Sequence, residues 1–288
     1  MLPTGPTITE QRWVPFALSR WVPFALSKRL NIGIANATGE IIMRMDAHST
    51  YPPSYVSGLV GWLERTHADN VGGVWITVPA RQTLVAEAIA LALSNPFGVG
   101  NACFRIGVKE PRWVDTVPFG CYRREVFDHV GMFDERLVRN QDIEFNSRLR
   151  GAGGKIFLTP EIYSYYYCRV GLWGLWKQNF QNGQWNIYTI ALTGWSLSWR
   201  HFLPLGFVAG LVGSGGLALE FPTFVWLFGA IVVAYLVSAM TAALGSSKGR
   251  HASLRVLLPV VFLVLHLSYG LGSLWGITTL ARVWRYGN

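Results

Sequence analysis

Acidic residues divide this chain into two unlike parts. They are spread through the first part, whereas Glu220 is the only acidic residue from Phe202 onward. Apolar stretches fill the second part, at Leu203–Leu219, Phe224–Leu244 and Leu254–Leu280. Because a helix needs about 20 apolar residues to cross a bilayer, the sequence predicts a soluble part followed by an all-α membrane region, with about three spans, over residues 201–288.

The basic residues around these stretches predict their orientation. The loop Lys248–Arg255 favours the cytoplasmic side of the membrane, because lysine and arginine in short loops stay on that side. This places the soluble part on the cytoplasmic face of the plasma (inner) membrane. Arg282 and Arg285 then conflict with a complete set of spans. A third stretch that re-enters the bilayer, or that breaks at Tyr269–Gly272, would resolve the conflict.

Charge and cysteine content narrow the class of protein. The net charge of +9 is compatible with nucleic acid, but no basic helix or recognition motif accompanies it, and anionic lipid head groups attract the same residues. Cys103, Cys121 and Cys168 are widely spaced and odd in number, which argues against a disulfide framework or a zinc site. The sequence therefore favours a membrane partner, no nucleic-acid partner and a reduced compartment.

The soluble part alternates short apolar runs with helical patterns. The octapeptide RWVPFALS occurs twice in succession but is too short for a repeat fold, so residues 1–27 are taken as an irregular segment. Such alternation over residues 28–170 is typical of an α/β fold with a parallel or mixed sheet and flanking helices. The predicted strands are Ile41–Asp46, Val71–Val78, Trp113–Val117 and Lys155–Leu158. The predicted helices are Lys28–Ala37, Ser54–Thr66, Gln82–Leu93, Arg123–Val130 and Gln141–Arg150.

Residues 171–200 form a separate region. The run Leu172–Leu192 is rich in tryptophan, and its apolar residues recur near helical spacing with polar residues between them. This pattern favours an interfacial helix that lies on the bilayer. An ordinary core helix is the alternative.

Asp46 and His48 form the first candidate site. Residues i and i+2 of an extended chain point the same way, so the carboxylate and the imidazole can face one cation across Ala47. Their position at the end of a predicted strand is where α/β sheets bind ligands. Diphosphate oxygens would complete the coordination shell of Mg²⁺ or Mn²⁺. The alternative is that Asp46 caps the next turn and His48 lies on the surface.

Asp142 is the second candidate, at the start of a predicted helix for which Asn140 is a good N-cap. Its spacing places it on the inward, apolar face of that helix. Glu144 can instead pair with Arg148 four residues later, which gives Glu144 a structural role. Asp142 therefore either acts as a general base toward an attacking hydroxyl or complements the helix dipole.

Two further segments give weaker signals. Gln181–Trp185 places a tryptophan beside amides, which suits a sugar, although a tryptophan of the interfacial aromatic belt is the alternative. Pro118–Arg124 predicts a glycine turn that opens a basic helix, and a helix N-terminus can hold an anion. Arg123 and Arg124 are equally compatible with solvated positions.

Several motifs occur together in one order: RMDAHSTYPPSYV, ADNVGG, NPFGVG, WVDTVPFGCYRREVF and GMFDERLVRNQDIEFNSRLR. The combination resembles glycosyltransferase family 2, nearest to bacterial exopolysaccharide transferases of the succinoglycan type, over about Arg20 to Pro204. The resemblance implies a GT-A fold and an inverting enzyme of exopolysaccharide or cell-surface glycan synthesis. Such an enzyme takes a nucleotide sugar, expected to be a UDP-sugar, as donor and a lipid-linked saccharide or polysaccharide as acceptor.

The resemblance also implies roles for the first two candidate sites. Asp46 and His48 occupy the metal-binding D-x-D positions, with His48 in place of the last acid. Asp142 occupies the position of the catalytic base in the E-D motif, where Gln141 replaces the acid. The implied cofactor is a divalent metal, Mn²⁺ or Mg²⁺.

The substrate-binding residues follow from the same resemblance. Gln181, Gln184 and Trp185 match the Q-x-x-R-W motif, and Gln184 replaces its arginine, which puts a diphosphate contact in doubt. Phe119 and Gly120 match the loop near the acceptor and the donor sugar.

One departure from the family pattern supports an alternative function. Family members begin with a strand and a βα unit that hold the nucleoside, and nothing like it precedes Arg20. The chain is therefore expected to be truncated and its GT-A sheet incomplete, with an unpaired edge. A catalytically inactive, membrane-anchored remnant is the alternative to an enzyme. A small transporter is disfavoured because ionisable residues are scarce in the apolar stretches.

Overall fold

The computed structural model describes residues 26–47 and 49–283, without the side chains of residues 282 and 283. Most of the duplicated octapeptide, His48 and Arg285 therefore lie outside the described residues. The helices are α1 Leu26–Asn36, α2 Tyr55–Thr66, α3 Leu84–Leu93, α4 Pro96–Val99, α5 Cys103–Ile106, α6 Glu125–Val130, α7 Gln141–Gly151, α8 Leu172–Thr193, α9 Leu203–Leu217, α10 Phe224–Ser246, α11 Leu254–Thr278 and α12 Leu280–Val283. The strands are β1 Ile41–Met43, β2 Ser49–Thr50, β3 Asn70–Val78, β4 Arg112–Trp113, β5 Cys121–Arg123 and β6 Ile156–Tyr167.

The strands form one mixed sheet in the order β1-β5-β3-β6-β2, with β4 also beside β6. The central pair, β3 and β6, runs parallel, and β1, β2, β4 and β5 join it through antiparallel pairs. This mixed sheet with flanking helices, followed by a helical C-terminal part, confirms the predicted fold class.

Alternate residues of the central strands face two apolar layers. Ile156 and Leu158 pack with α6 and α7 on one face, whereas Phe157 packs with α2 on the other, as the two-residue period of a strand requires. The helix that carries Asp142 therefore lies directly on the sheet.

Several predicted element boundaries are wrong. The helix predicted to begin at Arg123 begins at Glu125, and Cys121–Arg123 form β5 between β1 and β3. Arg123 and Arg124 make this short segment too polar to be recognised as a strand. In the structure their guanidinium groups donate to the backbone carbonyl oxygens of Leu63 and Gly39. The strand predicted to end at Leu158 continues to Tyr167, because its second half keeps pairing with β3 and gains β2.

A buried polar chain fastens α7 to the sheet. The Asn70 amide on β3 donates to the Asn146 side-chain oxygen (2.9 Å), and the Asn146 amide donates to the Thr116 hydroxyl (2.8 Å). Asn70 and Asn146 are fully buried, and Thr116 is nearly so. Buried amides of this kind need hydrogen-bond partners, so this series of hydrogen bonds fixes the position of α7.

We expect Asn146→Ala to lower the free energy of unfolding by roughly 3 kcal/mol, because it leaves two buried groups without their partner. Thermal unfolding of the chain in detergent micelles, followed by circular dichroism, measures the change. Ser147→Ala on the same helix is the control, because Ser147 is only partly buried. Equal melting temperatures for both variants would remove the buried chain as a stabilising element.

The C-terminal helices pack on one another and on α3. Buried residues of α3 and α11 share one apolar cluster with Leu175 of α8. Among the described residues, α10 and α11 are the helices long and apolar enough to cross a membrane, whereas α9 has 15 residues. The prediction that the third apolar stretch breaks at Tyr269–Gly272 is wrong, because α11 is continuous from Leu254 to Thr278.

Glycines bring α8 and α11 into backbone contact. A Cβ atom on Gly183 would lie 2.0 Å from the Tyr269 carbonyl oxygen, and one on Gly272 would lie 2.0 Å from the Phe180 carbonyl oxygen. Glycine is the residue that permits such close helix packing. One face of α8 therefore behaves as the core helix considered as the alternative, while Trp173 on the same helix remains 67% exposed.

Exposed apolar side chains concentrate on α9, α10 and the segments beside them. Trp195, Trp199 and Trp226 are each at least 67% exposed. Apolar surface of this extent indicates an interaction surface, and tryptophan is enriched at the two edges of a bilayer. The distribution agrees with the predicted membrane region.

Candidate active site

Asp46 follows β1 and is held by an arginine of the same segment. Arg44 donates to both carboxylate oxygens of Asp46, through Nε at 2.9 Å and Nη2 at 3.2 Å. The two residues point the same way because they are two positions apart in an extended chain. Burial acts to lower the pKa of Arg44, but the nearby carboxylates of Asp46 and Asp142 outweigh it, and the pKa is raised.

Aromatic residues hold the backbone around Asp46. The Asp46 amide donates to the Tyr51 hydroxyl (2.8 Å), and burial raises the pKa of Tyr51 to about 12. The Tyr51 ring meets Phe119 edge-on, with centroids 5.8 Å apart. Phe119 has a φ of 47°, which is unusual for an aromatic residue and typical of positions held by their surroundings.

Gly120 follows Phe119 and also contacts the segment that carries Asp46. Its carbonyl oxygen accepts the Arg44 amide (3.1 Å). A Cβ atom at Gly120 would lie 2.4 to 2.5 Å from ring atoms of Tyr122, so only glycine lets Tyr122 fold back here. The structure thus brings Phe119, Gly120 and Asp46 close together, and their metal- and substrate-binding roles remain predictions.

Asp142 lies in the first turn of α7, where its Oδ1 accepts the Ile143 amide (3.0 Å). The turn before it depends on Asn140, which has a φ of 62° and makes no side-chain cap. The Asn140 amide reaches α8 instead, at the Asn186 side-chain oxygen (2.9 Å). The predicted capping role of Asn140 is therefore wrong, and the residue joins α7 to α8.

The charge of Asp142 acts on the pKa of three neighbouring groups. The Asp142 carboxylate acts on Arg44, which holds Asp46. It also acts on Tyr122, whose pKa is raised by burial first and by Asp142 second. Burial lowers the pKa of Arg105, which Tyr166 and Asp142 partly offset. Arg44 is therefore hydrogen-bonded to Asp46 and has its pKa raised by both carboxylates.

Gln141 and Glu144 have contrasting environments on α7. Glu144 accepts two hydrogen bonds from the Arg148 guanidinium (2.5 and 3.0 Å), which confirms the predicted pair. The predicted facing is wrong, because Glu144 is buried and Asp142 is only partly buried. Gln141 is 5% exposed, and among the described residues its side-chain oxygen has no hydrogen-bond partner. An unpaired buried acceptor calls for an explanation, and a ligand beside Asp142 is one.

Arg139 connects the loop before α7 to α8. Its Nη2 donates to the Gln181 side-chain oxygen (2.5 Å) and its Nη1 to that of Asn182 (3.0 Å). Burial lowers the pKa of Arg139, and the positive charge of Arg169 lowers it further. Gln181 thus lies beside a pair of cations near the start of α7.

Gln184 and Trp185 have other neighbours. The Gln184 amide donates to the Tyr188 hydroxyl (2.8 Å), and Trp185 meets the Tyr188 ring edge-on at 5.4 Å. Tyr188 in turn bonds Thr279 after α11 (2.6 Å). No described contact joins either residue to Asp142, and their substrate-binding role remains a prediction.

The residues around Asp46 fit a metal whose shell a ligand completes. The Asp46 side chain is 20% exposed, and a carboxylate oxygen that accepts one hydrogen bond keeps a second lone pair. Among the described residues, which exclude His48, no three His, Cys, Asp or Glu side chains cluster as a metal cage. An ion here would take most of its ligands from phosphate oxygens and water, as Mg²⁺ does.

Sequence reasoning missed the basic residues of this site. Arg44 was detectable, because it precedes Asp46 by two positions on a predicted strand. Arg105 lies on the four-residue helix α5, which is too short for a periodic signal. Arg139 lies in a loop, and only its contact with α8 distinguishes it from a solvated arginine.

Comparison with known proteins relates this architecture to sugar transfer. Residues 22–131 match the model of the family "Glycosyl transferase family 2". The succinoglycan biosynthesis protein ExoA of Rhizobium meliloti (strain 1021) is 34% identical over 152 residues, which is 51% of this chain and 44% of that protein. The chain thus spans less than half the length of this relative.

A second relative covers more of the chain. The dolichyl N-acetyl-alpha-D-glucosaminyl phosphate 3-beta-D-2,3-diacetamido-2,3-dideoxy-beta-D-glucuronosyltransferase of Methanococcus voltae is 23% identical over 83% of this chain and 72% of its own length. Among solved structures, S. aureus TarS 1-349 aligns over 91% of this chain and 71% of its own, with 15% identity and a TM-score of 0.38. GalNAc-T7 with UDP, GalNAc and Mn²⁺ aligns over 58% and 36%, with 15% identity and a TM-score of 0.37.

Proposed function

We propose that the chain, whose residues 22–131 match the model of glycosyl transferase family 2, is a membrane-bound, inverting glycosyltransferase. It transfers a sugar from a nucleotide sugar to a lipid-linked saccharide, with the catalytic domain on the cytoplasmic side. The observation that carries this proposal is Arg44, which holds both carboxylate oxygens of Asp46 and whose pKa is raised by Asp46 and Asp142 together.

Asp142 is the general base of the proposed reaction. It removes the proton from the acceptor hydroxyl, and the oxygen attacks the anomeric carbon from the face opposite the leaving diphosphate. The bond from that carbon to the diphosphate oxygen breaks, so the configuration inverts and a nucleoside diphosphate leaves. A base of this kind contributes roughly 10²–10⁴-fold to the rate.

Asp46, together with His48, would hold a divalent metal. When bound, this ion neutralises the developing charge on the diphosphate. Arg44 keeps the Asp46 carboxylate oriented through two hydrogen bonds. Gln141 offers its unpaired oxygen to a sugar hydroxyl beside Asp142.

Arg139 provides a positive charge in place of the motif arginine that Gln184 replaces. It lies next to Gln181 and close enough to Arg169 for their charges to repel. Two like charges held together favour an anion between them, and guanidinium groups bind phosphate through paired hydrogen bonds. The diphosphate of the donor is an anion of this kind.

Arg139→Gln is expected to weaken binding of a nucleoside diphosphate about tenfold, because a hydrogen bond to a charged group contributes on the order of 1.5–3 kcal/mol. Calorimetry of the full chain in lipid nanodiscs measures this. Arg136→Gln is the control, since Arg136 is on the same loop and also reaches α8, at the Leu192 carbonyl (3.0 Å). An equal loss in both variants would show that the loop position matters rather than the Arg139 charge.

Membrane association rests on α10, α11 and the exposed apolar surface beside them. The names of the two relatives refer to succinoglycan biosynthesis and to a dolichyl-linked sugar phosphate. A lipid-linked acceptor agrees with the second of these names and with a catalytic domain whose helix α3 packs directly on α11.

The proposal is tested by transfer activity in membranes that contain the full chain. A panel of radiolabelled nucleotide sugars is incubated with these membranes and Mn²⁺, and labelled lipid is extracted. The proposal predicts incorporation from at least one donor, which chelation of the metal abolishes. Absence of incorporation from every donor, with the chain folded, would contradict it.

A catalytically inactive remnant is the second candidate. The observation in its favour is that Arg44 occupies both oxygens of Asp46. Calorimetry with uridine diphosphate and Mn²⁺ separates the two candidates, because a remnant needs no nucleotide affinity. Micromolar binding would count against the remnant.

A further inference from the structure

A cavity of about 790 Å³ lies on the side of the sheet that faces α3. Its walls are the second half of β3, the first turns of α3, α5 and the loop before α11. Apolar side chains form much of the lining, at Ile76, Leu84, Leu91 and Ile106. The proposed reaction assigns no role to this space.

Three polar atoms in the cavity walls have no partner. The Trp75 indole Nε1, the Thr77 hydroxyl and the Arg105 Nη1 are shielded from solvent and make no hydrogen bond to any described residue. Each buried, unpaired group of this kind costs on the order of 1–3 kcal/mol. A ligand that draws these side chains slightly toward the cavity would supply their partners.

The charges of the cavity walls favour an anion. The lining contains Arg105, Arg250 and Glu87 as its charged residues. Glu87 is bonded to Arg250 at 2.9 Å, so the charge of Arg105 is not balanced within the lining. Its guanidinium lies over Trp75 at 4.5 Å and is hydrogen-bonded to Tyr166, which leaves Nη1 for a ligand.

The cavity adjoins the aromatic residues beside Asp46. Trp75 lines the cavity, and its ring lies 5.2 Å from the ring of Phe119, which in turn meets Tyr51. The charge of Asp142 also acts on the pKa of Arg105. At the other side, Arg250 belongs to the loop between α10 and α11, the candidate membrane spans. A molecule in the cavity would reach from the membrane region toward Asp142.

We propose that this cavity binds the phosphate head group of the lipid-linked acceptor, with Arg105 on the phosphate and the lipid chain along Ile76, Leu84 and Leu91. The inference rests on the proposed function, because it assumes that an acceptor hydroxyl reaches Asp142. Arg105 is a binding residue here, and Trp75 positions it by stacking.

Direct binding tests the site without any nucleotide sugar. The full chain in zwitterionic nanodiscs is titrated with farnesyl phosphate, with farnesol and with inorganic phosphate, and dissociation constants are measured by native mass spectrometry. Farnesyl phosphate is expected to bind more tightly than either other probe. Arg105→Gln is expected to weaken farnesyl phosphate about tenfold, as for the loss of one charged contact.

Arg65→Gln is the matched control. Arg65 also stacks on a tryptophan, Trp62, at 4.1 Å, but it is exposed and does not line the cavity. It should leave the affinity unchanged. Equal affinity in wild type and Arg105→Gln would overturn the proposal, and so would farnesol binding as tightly as farnesyl phosphate. Inorganic phosphate could instead bind as tightly as farnesyl phosphate and lose its binding in Arg105→Gln. That result would overturn the proposal that the bound anion is a lipid phosphate.

A second measurement does not depend on the folding of a variant. A diazirine analogue of farnesyl phosphate is photolysed with the wild-type chain, and labelled peptides are identified by mass spectrometry. Labels on β3, α3 or α5 support the site, whereas labels confined to α9 and α10 overturn it. Cavity binding without any sugar transfer would contradict the proposed function alone. Transfer at the wild-type rate by a folded Arg105→Gln variant would contradict this site alone.

Discussion

Asp142→Asn is expected to reduce sugar transfer by roughly 10²–10⁴-fold, the contribution of a positioned general base. The amide keeps the size of the carboxylate and can still accept the Ile143 amide hydrogen bond, but it cannot take a proton. Binding of the nucleoside diphosphate is expected to change little, because the base contacts the acceptor rather than the leaving group.

The measurement compares initial rates of lipid labelling in membranes that contain equal amounts of folded chain. Asp128→Asn is the control, because Asp128 is an exposed acid of the same domain, on α6. The control should retain the wild-type rate. A wild-type rate in folded Asp142→Asn would remove Asp142 from the mechanism.

Gly272→Leu is expected to separate α8 from α11 and to lower the free energy of unfolding by about 3 kcal/mol, since overpacking at a rigid contact costs on the order of 1–3 kcal/mol or more. The new Cβ atom alone would lie 2.0 Å from the Phe180 carbonyl oxygen. Backbone atoms cannot rotate away as a flexible side chain can, so the helices must move apart.

The same change is expected to lower transfer activity, although Gly272 touches no site residue. α8 holds the start of α7 through Asn140 and Asn186, so displacement of α8 disturbs Asp142. Gly229→Leu is the control, because a Cβ atom at Gly229 on α10 meets no atom within 4 Å. Thermal unfolding and transfer rates of both variants measure the effect. Unchanged melting and activity in Gly272→Leu would refute the tight contact.

The predictable parts of the fold carry strong local periodicity. α2, β3 and α7 were predicted within about two residues, because their apolar positions recur with the period of a helix or strand. β5 was missed because Arg123 and Arg124 make this short segment too polar to resemble a buried strand. Their guanidinium groups find hydrogen-bond acceptors only in the folded chain, at the carbonyl oxygens of Leu63 and Gly39. Such compensation is tertiary and leaves no local pattern.

The candidate site shows the same division. Asp46, Phe119, Gly120 and Asp142 were predicted from motifs. In the structure Arg44 contacts Asp46 and Gly120, and the charge of Asp142 acts on the pKa of Arg44. Spacing alone did not reveal that the side chain of Asn140, which does occupy the N-cap position, would bond α8 instead of capping α7. It also did not reveal Arg105, because its relation to Trp75 and Asp142 exists only once β3, α5 and α7 have packed together.

The account depends on Asp46 and Asp142 bordering one nucleotide-sugar site. Calorimetry of the full chain in nanodiscs with Mn²⁺ and uridine, guanosine or thymidine diphosphate tests this most directly. The account predicts micromolar, metal-dependent binding of one nucleotide. Asp46→Asn should weaken this binding about tenfold or more, a loss of about 1.4 kcal/mol. Asp142→Asn should leave the affinity unchanged. Absence of binding for every nucleotide at millimolar concentration, or affinity unchanged by Asp46→Asn, would contradict it.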